Sequence, residues 1–250
     1  MATATFGSPI QELEGETLTL GTSAGWKAVM PDYQEIKLYC AAAWRLALVP
    51  KLARVAYYDA SAGTYTDYTK YATDRSSTHV PLDGMVVADY LYLGFTGEVL
   101  GAYFDVGSNV NSETATLDVE YCSTAQIMNS GTITTPVAFT DVGTDGDGTT
   151  SGGATLAQDG VYTWALPSFK KSAIDGLSGE ELYWIRFKPS ATLSDPLDIN
   201  EIIPVYHDTN YAYMEAGNEY QFSLNLAKVG GIQALVASGT PTLNITWIKH

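Results

Sequence analysis

The feature that most constrains the fold of this chain is a recurrent period of two in its large apolar side chains. It is clearest over residues 36–48, where every even position is apolar and the odd positions include Lys37, Tyr39 and Arg45. Successive side chains of a β-strand point to opposite faces, so this period of two predicts a long strand with a bend. The alanine run at 41–43 would suit a helix, but a helical frame collects fewer large apolar residues. The apolar positions are Ile36, Leu38, Cys40, Ala42, Trp44, Leu46 and Leu48.

The same alternation recurs along the rest of the chain, and glycine, proline, Asn and Asp clusters separate the runs. Many short alternating strands joined by turns predict an all-β fold, an antiparallel sandwich or barrel with long loops. Little helix is expected, at most one or two turns starting near Pro167 and ending at Gly176. The recurring apolar sets are Leu91/Leu93/Phe95, Ala102/Phe104/Val106, Leu117/Val119/Tyr121, Tyr162/Trp164/Leu166, Tyr183/Ile185/Phe187, Phe222/Leu224/Leu226 and Leu243/Ile245/Trp247.

The net charge of the chain limits the classes of partner that it can bind. Asp and Glu number 28 against 13 Lys and Arg, a formal net charge of −15. Binding to nucleic acid or to an anionic membrane needs clustered Lys and Arg, so neither is expected as a partner. No run of apolar residues is long enough for a membrane span, and no secretion signal is visible at the N-terminus, so we expect a soluble protein made in a cytosol.

Cys40 and Cys122 lie in apolar alternating stretches, which favours two buried free thiols, although a single disulfide between them remains a possible alternative.

Metal-binding and phosphate-binding patterns are lacking in the sequence. The three histidines, His79, His207 and His250, have no metal ligand at a recognisable spacing, and no glycine loop followed by Lys-Ser or Lys-Thr is present. A glycosidase would need only two suitably spaced acids, but nothing singles out a pair among 28. We therefore expect no catalytic residues, no cofactor and no enzymatic activity.

One acidic loop is a weak candidate for a calcium site. Asp141, Asp145 and Asp147 alternate with glycines, and such residues can supply oxygen ligands to Ca²⁺. An EF-hand loop would need an acid near position 156, where Leu156 stands. The favoured interpretation is a solvated loop in which Asp and Gly form turns.

A group of tyrosines is the best candidate for an interaction surface. Tyrosine offers a large contact area with a polar tip, so it is common at protein interfaces, and it is equally suited to a half-buried sheet face. The sequence leaves these two interpretations open, with a sugar-binding site as a less favoured third. The group consists of Tyr57, Tyr58, Tyr65, Tyr68 and Tyr71.

The stretch from Tyr90 to Lys188 resembles a jelly-roll β-sandwich domain of tailed-bacteriophage virion proteins. The resemblance lies in the order of its elements: an apolar strand, an aromatic and acidic strand, a strand ending in Glu-Tyr, an Asp-Gly-Thr loop, a strand leading through Trp to Pro, and a closing aromatic strand. These elements are Leu91–Phe95, Ala102–Val106, Leu117–Tyr121, Asp147–Thr149, Gly160–Pro167 and Gly179–Arg186.

This resemblance implies a jelly-roll-like sandwich over residues 86–205. Residues 1–25 carry few periodic apolar positions, which predicts an extended arm, and residues 26–85 are expected to form a β segment. Residues 206–250 would complete the sandwich or form a small second β unit. Residues 59–79 and 129–160 are expected to be irregular.

The function that the resemblance implies is that of a non-enzymatic structural protein located in the virion. It would be a capsid decoration protein that binds the major capsid protein as a homo-oligomer, for example a trimer. Two alternatives stay open: a tail, baseplate or head–tail component, and a carbohydrate-binding β-sandwich module.

Overall fold

The secondary structure is almost entirely β. The structure is a computed structural model that describes residues 12–23, 25–28, 33–73, 79–130, 132–165, 168–205, 211–226 and 228–249. Its first elements are β1 (Glu12–Thr19), β2 (Gly25–Ala28), β3 (Glu35–Cys40), β4 (Trp44–Pro50), β5 (Leu52–Asp59), β6 (Thr64–Asp67), α1 (Thr69–Thr73), β7 (Val80–Pro81), β8 (Tyr90–Phe95), β9 (Gly101–Val106) and β10 (Leu117–Thr124). The others are β11 (Ile127–Asn129), β12 (Thr132–Thr135), β13 (Ala138–Asp141), β14 (Asp145–Asp147), β15 (Gly160–Trp164), β16 (Lys171–Ile174), β17 (Ser178–Pro189), β18 (Asp198–Val205), β19 (Ala212–Met214), β20 (Glu219–Ser223), β21 (Val229–Leu235) and β22 (Thr242–Lys249).

The chain forms two compact units, and one is inserted into the other in sequence. Residues 1–49 together with 209–250 form the first unit, and residues 50–208 form the second. In the first unit, two four-stranded sheets have the orders β1-β22-β3-β20 and β19-β4-β21-β2. Buried side chains from both sheets, among them Ile36, Trp44, Ile232 and Trp247, make up its core. This unit is therefore a small sandwich.

The second unit is a larger sandwich. Its seven-stranded sheet has the order β13-β10-β17-β8-β5-β6, with β16 also paired to β17, and its five-stranded sheet has the order β14-β15-β9-β18-β7. Successive strands from β7 to β10 and from β15 to β18 mostly cross between the two sheets, in a jelly-roll-like winding. Strand pairs such as β8–β17 and β9–β18 are antiparallel. The prediction of an all-β antiparallel sandwich is confirmed.

Aromatic rings fill the space between the two sheets of the larger sandwich. Phe187 from β17 is fully buried, and its ring meets Phe104 of β9 edge to face at a centroid distance of 5.5 Å. Tyr162 and Trp164 of β15 approach the same ring at 5.3 and 6.0 Å. Edge-to-face aromatic contacts of this kind add to the free energy gained from burial alone. Phe187 is therefore the central side chain of this aromatic core.

The bend predicted within residues 36–48 is present. The chain leaves β3 after Cys40 and enters β4 at Trp44, and the two strands belong to different sheets. The alternation then shifts by one residue, because Leu46 and Ala47 are both buried. As a result Leu48, predicted to share the buried face, is 40% exposed.

In place of the sequence-based boundaries at 25 and 85 the structure has one division after residue 49, whereas the predicted boundary at 205 lies close to the observed division after residue 208. Within the predicted arm, Glu12–Thr19 form β1, which pairs with β22 along its whole length. Residues 50–85 belong with the larger sandwich, while 211–249 join the N-terminal strands in the smaller one. Pairing between strands that are distant in sequence decides which unit each segment joins, and the local composition of a segment does not indicate that pairing.

Two segments predicted to be irregular contain regular structure. The 59–79 segment holds β6 and α1, which is the one helix in the described part of the chain, and 129–160 holds three short strands after the end of β11. The helix predicted from Pro167 to Gly176 is wrong over its described part. Lys171–Ile174 form β16, because Ser172 and Ile174 turn to a buried face in alternation.

Both cysteines are buried and free, as predicted. Cys40 lies in the core of the smaller unit, and Cys122 lies beneath the outer face of the seven-stranded sheet. Burial raises the pKa of the Cys122 thiol to about 11, because the thiolate would lose its hydration. Each unit therefore carries one protected thiol that can report its opening.

Candidate interaction surface

The face of the seven-stranded sheet that points away from the central core carries an unusual aromatic cluster. Alternation along β5, β6, β8, β13 and β17 places every second side chain on this side. The cluster surrounds a single arginine, and we call it the tyrosine–arginine face. Its members are Tyr58, Tyr65, Tyr90, Tyr92, Phe139 and Arg186.

Strand register brings Arg186 to the centre of this face. It is directly opposite Glu120 of β10 on one side and Tyr92 of β8 on the other. Directly opposed side chains in an antiparallel pair are close enough to interact. Glu120, Arg186 and Tyr92 therefore form a row across β10, β17 and β8, three neighbouring strands that are distant in sequence.

The guanidinium of Arg186 is held from several directions. Its Nε donates to a carboxylate oxygen of Glu120, and its Nη1 donates to the hydroxyl of Tyr92 at 3.2 Å. Its Cζ also lies 4.0 Å from the ring centroid of Tyr90 and 4.3 Å from that of Phe139, which are cation–π distances. Burial alone would lower the pKa of Arg186, but Tyr92 and Glu120 outweigh it and the pKa is raised. The side chain is 19% exposed, so it is positioned and still reachable.

The tyrosines form a connected layer beside Arg186. The ring of Tyr58 is 4.8 Å from Tyr65 and 6.4 Å from Tyr90, and Tyr65 is 5.7 Å from Tyr92. Tyr58, Tyr65 and Tyr90 are half-buried, whereas Tyr92 is buried. Burial raises the pKa of Tyr65 and of Tyr92 above the ordinary value. Rings held by their neighbours lose little conformational entropy when a partner covers them.

A packed floor supports this layer. The indole of Trp184 is fully buried, and its Nε1 donates to the carbonyl of Ser172 at 2.7 Å. It lies against Gly94 of β8, where a Cβ would come within 2.8 Å of the Trp184 ring and of Leu182. Glycine at this position lets the two side chains cover the strand closely.

Of the five predicted tyrosines, two lie on this face and three do not. Tyr57 is adjacent to Tyr58 on β5 and points inward, where its hydroxyl donates to the buried Asp89 at 2.6 Å. Tyr68 and Tyr71 pack against the central core and against each other, at a ring distance of 5.9 Å. The structure thus separates the predicted group into Tyr58 and Tyr65 on the surface and three structural residues.

The sequence-based prediction missed four members of the face: Tyr90, Tyr92, Phe139 and Arg186. The alternation itself could have indicated three of them. Tyr90 and Tyr92 are the outward positions of a strand whose inward positions are Leu91 and Leu93, and Arg186 stands between the inward Ile185 and Phe187. The contribution of Phe139 depends on the pairing of β13 with β10, which no local pattern records.

The carboxylates of the three aspartates in the candidate calcium loop accept hydrogen bonds from nearby residues. Asp141 accepts from the backbone N–H of Gly143, Asp145 from the hydroxyl of Tyr162, and Asp147 from the N–H and hydroxyl of Thr149. Among the residues described, no group of three or more His, Cys, Asp or Glu side chains is arranged to hold a metal ion. His79 is half-buried, and His207 and His250 lie outside the described residues.

Comparisons add no identification. No protein-family model matches the chain, and a search of curated proteins finds no significant match. In the described residues, no helix has both the length and the apolar character required to cross a membrane.

The buried phenols predict a delayed alkaline titration. Burial is the main cause that raises the pKa of Tyr57, Tyr65, Tyr92 and Tyr162. Their pKa in the folded state exceeds the unfolded value of about 10, so their stabilising contribution is complete below pH ~10 and is lost as the pH rises further. We expect the ultraviolet signal of tyrosinate to rise in two steps, the second coinciding with loss of the β-sheet circular dichroism. A single transition near pH ~10 with the fold intact would contradict this.

Proposed function

We propose that this protein is a non-enzymatic structural component of a tailed-bacteriophage virion, specifically a capsid decoration protein that binds the major capsid protein shell. The observation that carries the proposal is the tyrosine–arginine face. It presents a preorganised set of aromatic rings around a reachable arginine on a rigid sheet. Tyr, Trp and Arg are the residues that dominate binding energy at protein interfaces.

The charge of this face also suits a protein partner. Although the chain carries a net charge of −15, Arg186 is balanced by Glu120, and Arg54 on the same sheet pairs with Asp67 and Glu180. A locally balanced patch avoids the cost of bringing excess like charge into an interface. The acidic remainder of the surface keeps the protein soluble.

The elements that carry the resemblance to virion proteins support the proposal further. Five of the six quoted motifs fall on strands of the larger sandwich, and the sixth, Asp147–Thr149, begins at the end of β14. The five strands are β8, β9, β10, β15 and β17. A small contact repeated over a symmetric shell gains strength through effective concentration, which suits a protein with one modest binding face.

The experiment that tests the proposal is quantitative mass spectrometry of purified particles. A decoration protein would be present in hundreds of copies per particle. About a dozen copies or fewer would move the assignment to a tail, baseplate or head–tail component. Absence of the protein from purified particles would refute the virion role.

Binding of the purified protein to particles assembled without it tests the face. Substituting both Tyr58 and Tyr65 by alanine should weaken binding about thirtyfold or more, equivalent to a hot spot of about 2 kcal/mol. Tyr213, which is 66% exposed and lies in the other unit, provides the control substitution Tyr213→Ala. Equal binding by all three proteins would show that the tyrosine–arginine face is not the contact.

A second candidate function, a carbohydrate-binding module, is favoured by the same ring faces. Sugars stack on partly exposed aromatic rings, and Tyr58, Tyr65 and Tyr90 are partly exposed beside polar groups. A glycan array with the purified protein distinguishes the two functions. Micromolar binding that is lost in Tyr65→Ala and retained in Tyr213→Ala would favour the sugar-binding role over the decoration role.

A further inference from the structure

The hairpin formed by β11 and β12 is exposed on both of its faces. Its register pairs Met128 with Ile133 and Asn129 with Thr132. Ile127 is 55% exposed and Met128 is 59% exposed, and no described residue of the two strands is fully buried. Neither strand pairs with a third strand within the described part of the chain.

The other described residues of the chain contribute little to the stability of this hairpin. Two-stranded hairpins are marginal in water, and this one is fixed mainly near its base, where the N–H of Gln126 donates to the hydroxyl of Ser172 at 2.9 Å. A further bond runs from the hydroxyl of Thr134 to the carbonyl of Ile127 at 3.2 Å. An open strand edge is a template for pairing with another chain, and exposed apolar side chains on that edge favour such a contact.

The hairpin lies within a long stretch of sequence that carries no charged side chain. Residues 122–140 contain no Asp, Glu, Lys, Arg or His. Another edge strand of the protein, β1, carries Glu14 and Glu16, the kind of charge that discourages edge-to-edge pairing. The β11–β12 edge lacks this protection.

We propose that the β11–β12 hairpin is the contact through which two copies of this chain associate. Two molecules that each carry a charge of −15 repel one another, and the repulsion is smallest where neither brings an acid into the contact. The uncharged hairpin meets that requirement, and its open edge can pair with its own copy. Pairing of β11 with its own copy about a two-fold axis joins the two hairpins into one four-stranded sheet and brings Ile127 and Met128 of each copy beside the other chain. This association is a property of the purified protein, so it stands or falls independently of the virion role.

Sedimentation equilibrium over a wide concentration range tests the proposal. The wild-type protein should form dimers, and added salt should strengthen the association because it screens the repulsion between the acidic molecules. Ile127→Glu and Met128→Glu should each weaken dimerisation at least about tenfold, since a two-fold axis places two like charges in the contact. Val87→Glu is the matched control, because Val87 is 43% exposed in the same unit and distant in sequence from the hairpin, and it should dimerise like the wild type.

Hydrogen exchange provides a second readout that does not depend on the variants. The backbone amides of β11 and β12 should become protected as the wild-type concentration rises, while those of the exposed 61–63 turn should not. A wild-type protein that stays monomeric at high concentration and high salt would overturn the proposal. Dimers that persist unchanged in both Glu variants, or that are lost equally in Val87→Glu, would overturn it as well.

Discussion

Replacing Phe187 by alanine is expected to lower the free energy of unfolding of the larger sandwich by about 3–5 kcal/mol. The side chain is fully buried between the two sheets, and the rings of Phe104, Tyr162 and Trp164 all meet it edge to face. Removal of the ring leaves a cavity and ends three aromatic contacts at once.

Labelling of Cys122 during denaturant unfolding measures this effect. Cys122 belongs to the same unit and is fully buried, so an alkylating reagent reaches its thiol only when the unit opens. Phe187→Ala should shift the labelling transition to markedly lower denaturant. Tyr213→Ala, an exposed substitution in the other unit, should leave it in place. An unchanged transition in Phe187→Ala would contradict the description of the core.

Replacing Arg186 by leucine is expected to cost about 2–4 kcal/mol, the second of the large effects. The substitution leaves the Glu120 carboxylate, which is 22% exposed, without its cation, and an unpaired, partly buried charge is strongly destabilising. It also removes the guanidinium from the rings of Tyr90 and Phe139. Arg54→Leu is the matched control, because its partners Asp67 and Glu180 are 49% and 61% exposed. Exposed pairs of that kind contribute less than about 1 kcal/mol.

A double-mutant cycle identifies the pair that is responsible. The combined Glu120→Leu and Arg186→Leu variant should lose less stability than the sum of the two single variants, with a coupling of about 0.5–3 kcal/mol. If Arg186→Leu costs no more than Arg54→Leu, the ring contacts and the ion pair around Arg186 do not stabilise the sheet. The tyrosine–arginine face would then lack the rigidity on which the proposed function depends.

Much of the fold could be predicted from the alternation of side chains, because a period of two is a local property. The apolar sets at Leu91, Phe104, Val119 and Trp247 all face a core as expected. Strand β1 was missed because its apolar alternation is broken: Glu14 and Glu16 lie opposite the buried Trp247 and Ile245, whereas Leu13 on the other face is 61% exposed. The sequence left open a small second β unit over residues 206–250, but it did not indicate that the N-terminal strands join that unit, because this depends on pairing between the ends of the chain.

The candidate site was only partly predictable for the same reason. Tyr58 and Tyr65 were identified, but adjacent residues on a strand face opposite sides, so Tyr57 could have been separated from Tyr58 by alternation alone. The central contact could not be predicted. Arg186 meets Glu120 and Tyr92 because β17 lies between β10 and β8, and strand order is a non-local property.

Tyrosine nitration of the virion particle, in which we propose that this protein is a structural component, tests the central claim that the tyrosine–arginine face binds the partner. The modified residues would be identified by mass spectrometry in assembled particles and in the same protein released from them. The account predicts that nitration of Tyr58, Tyr65 and Tyr90 falls several-fold in the particle, because a partner covers their rings. Equal nitration of these three tyrosines in both samples would contradict it.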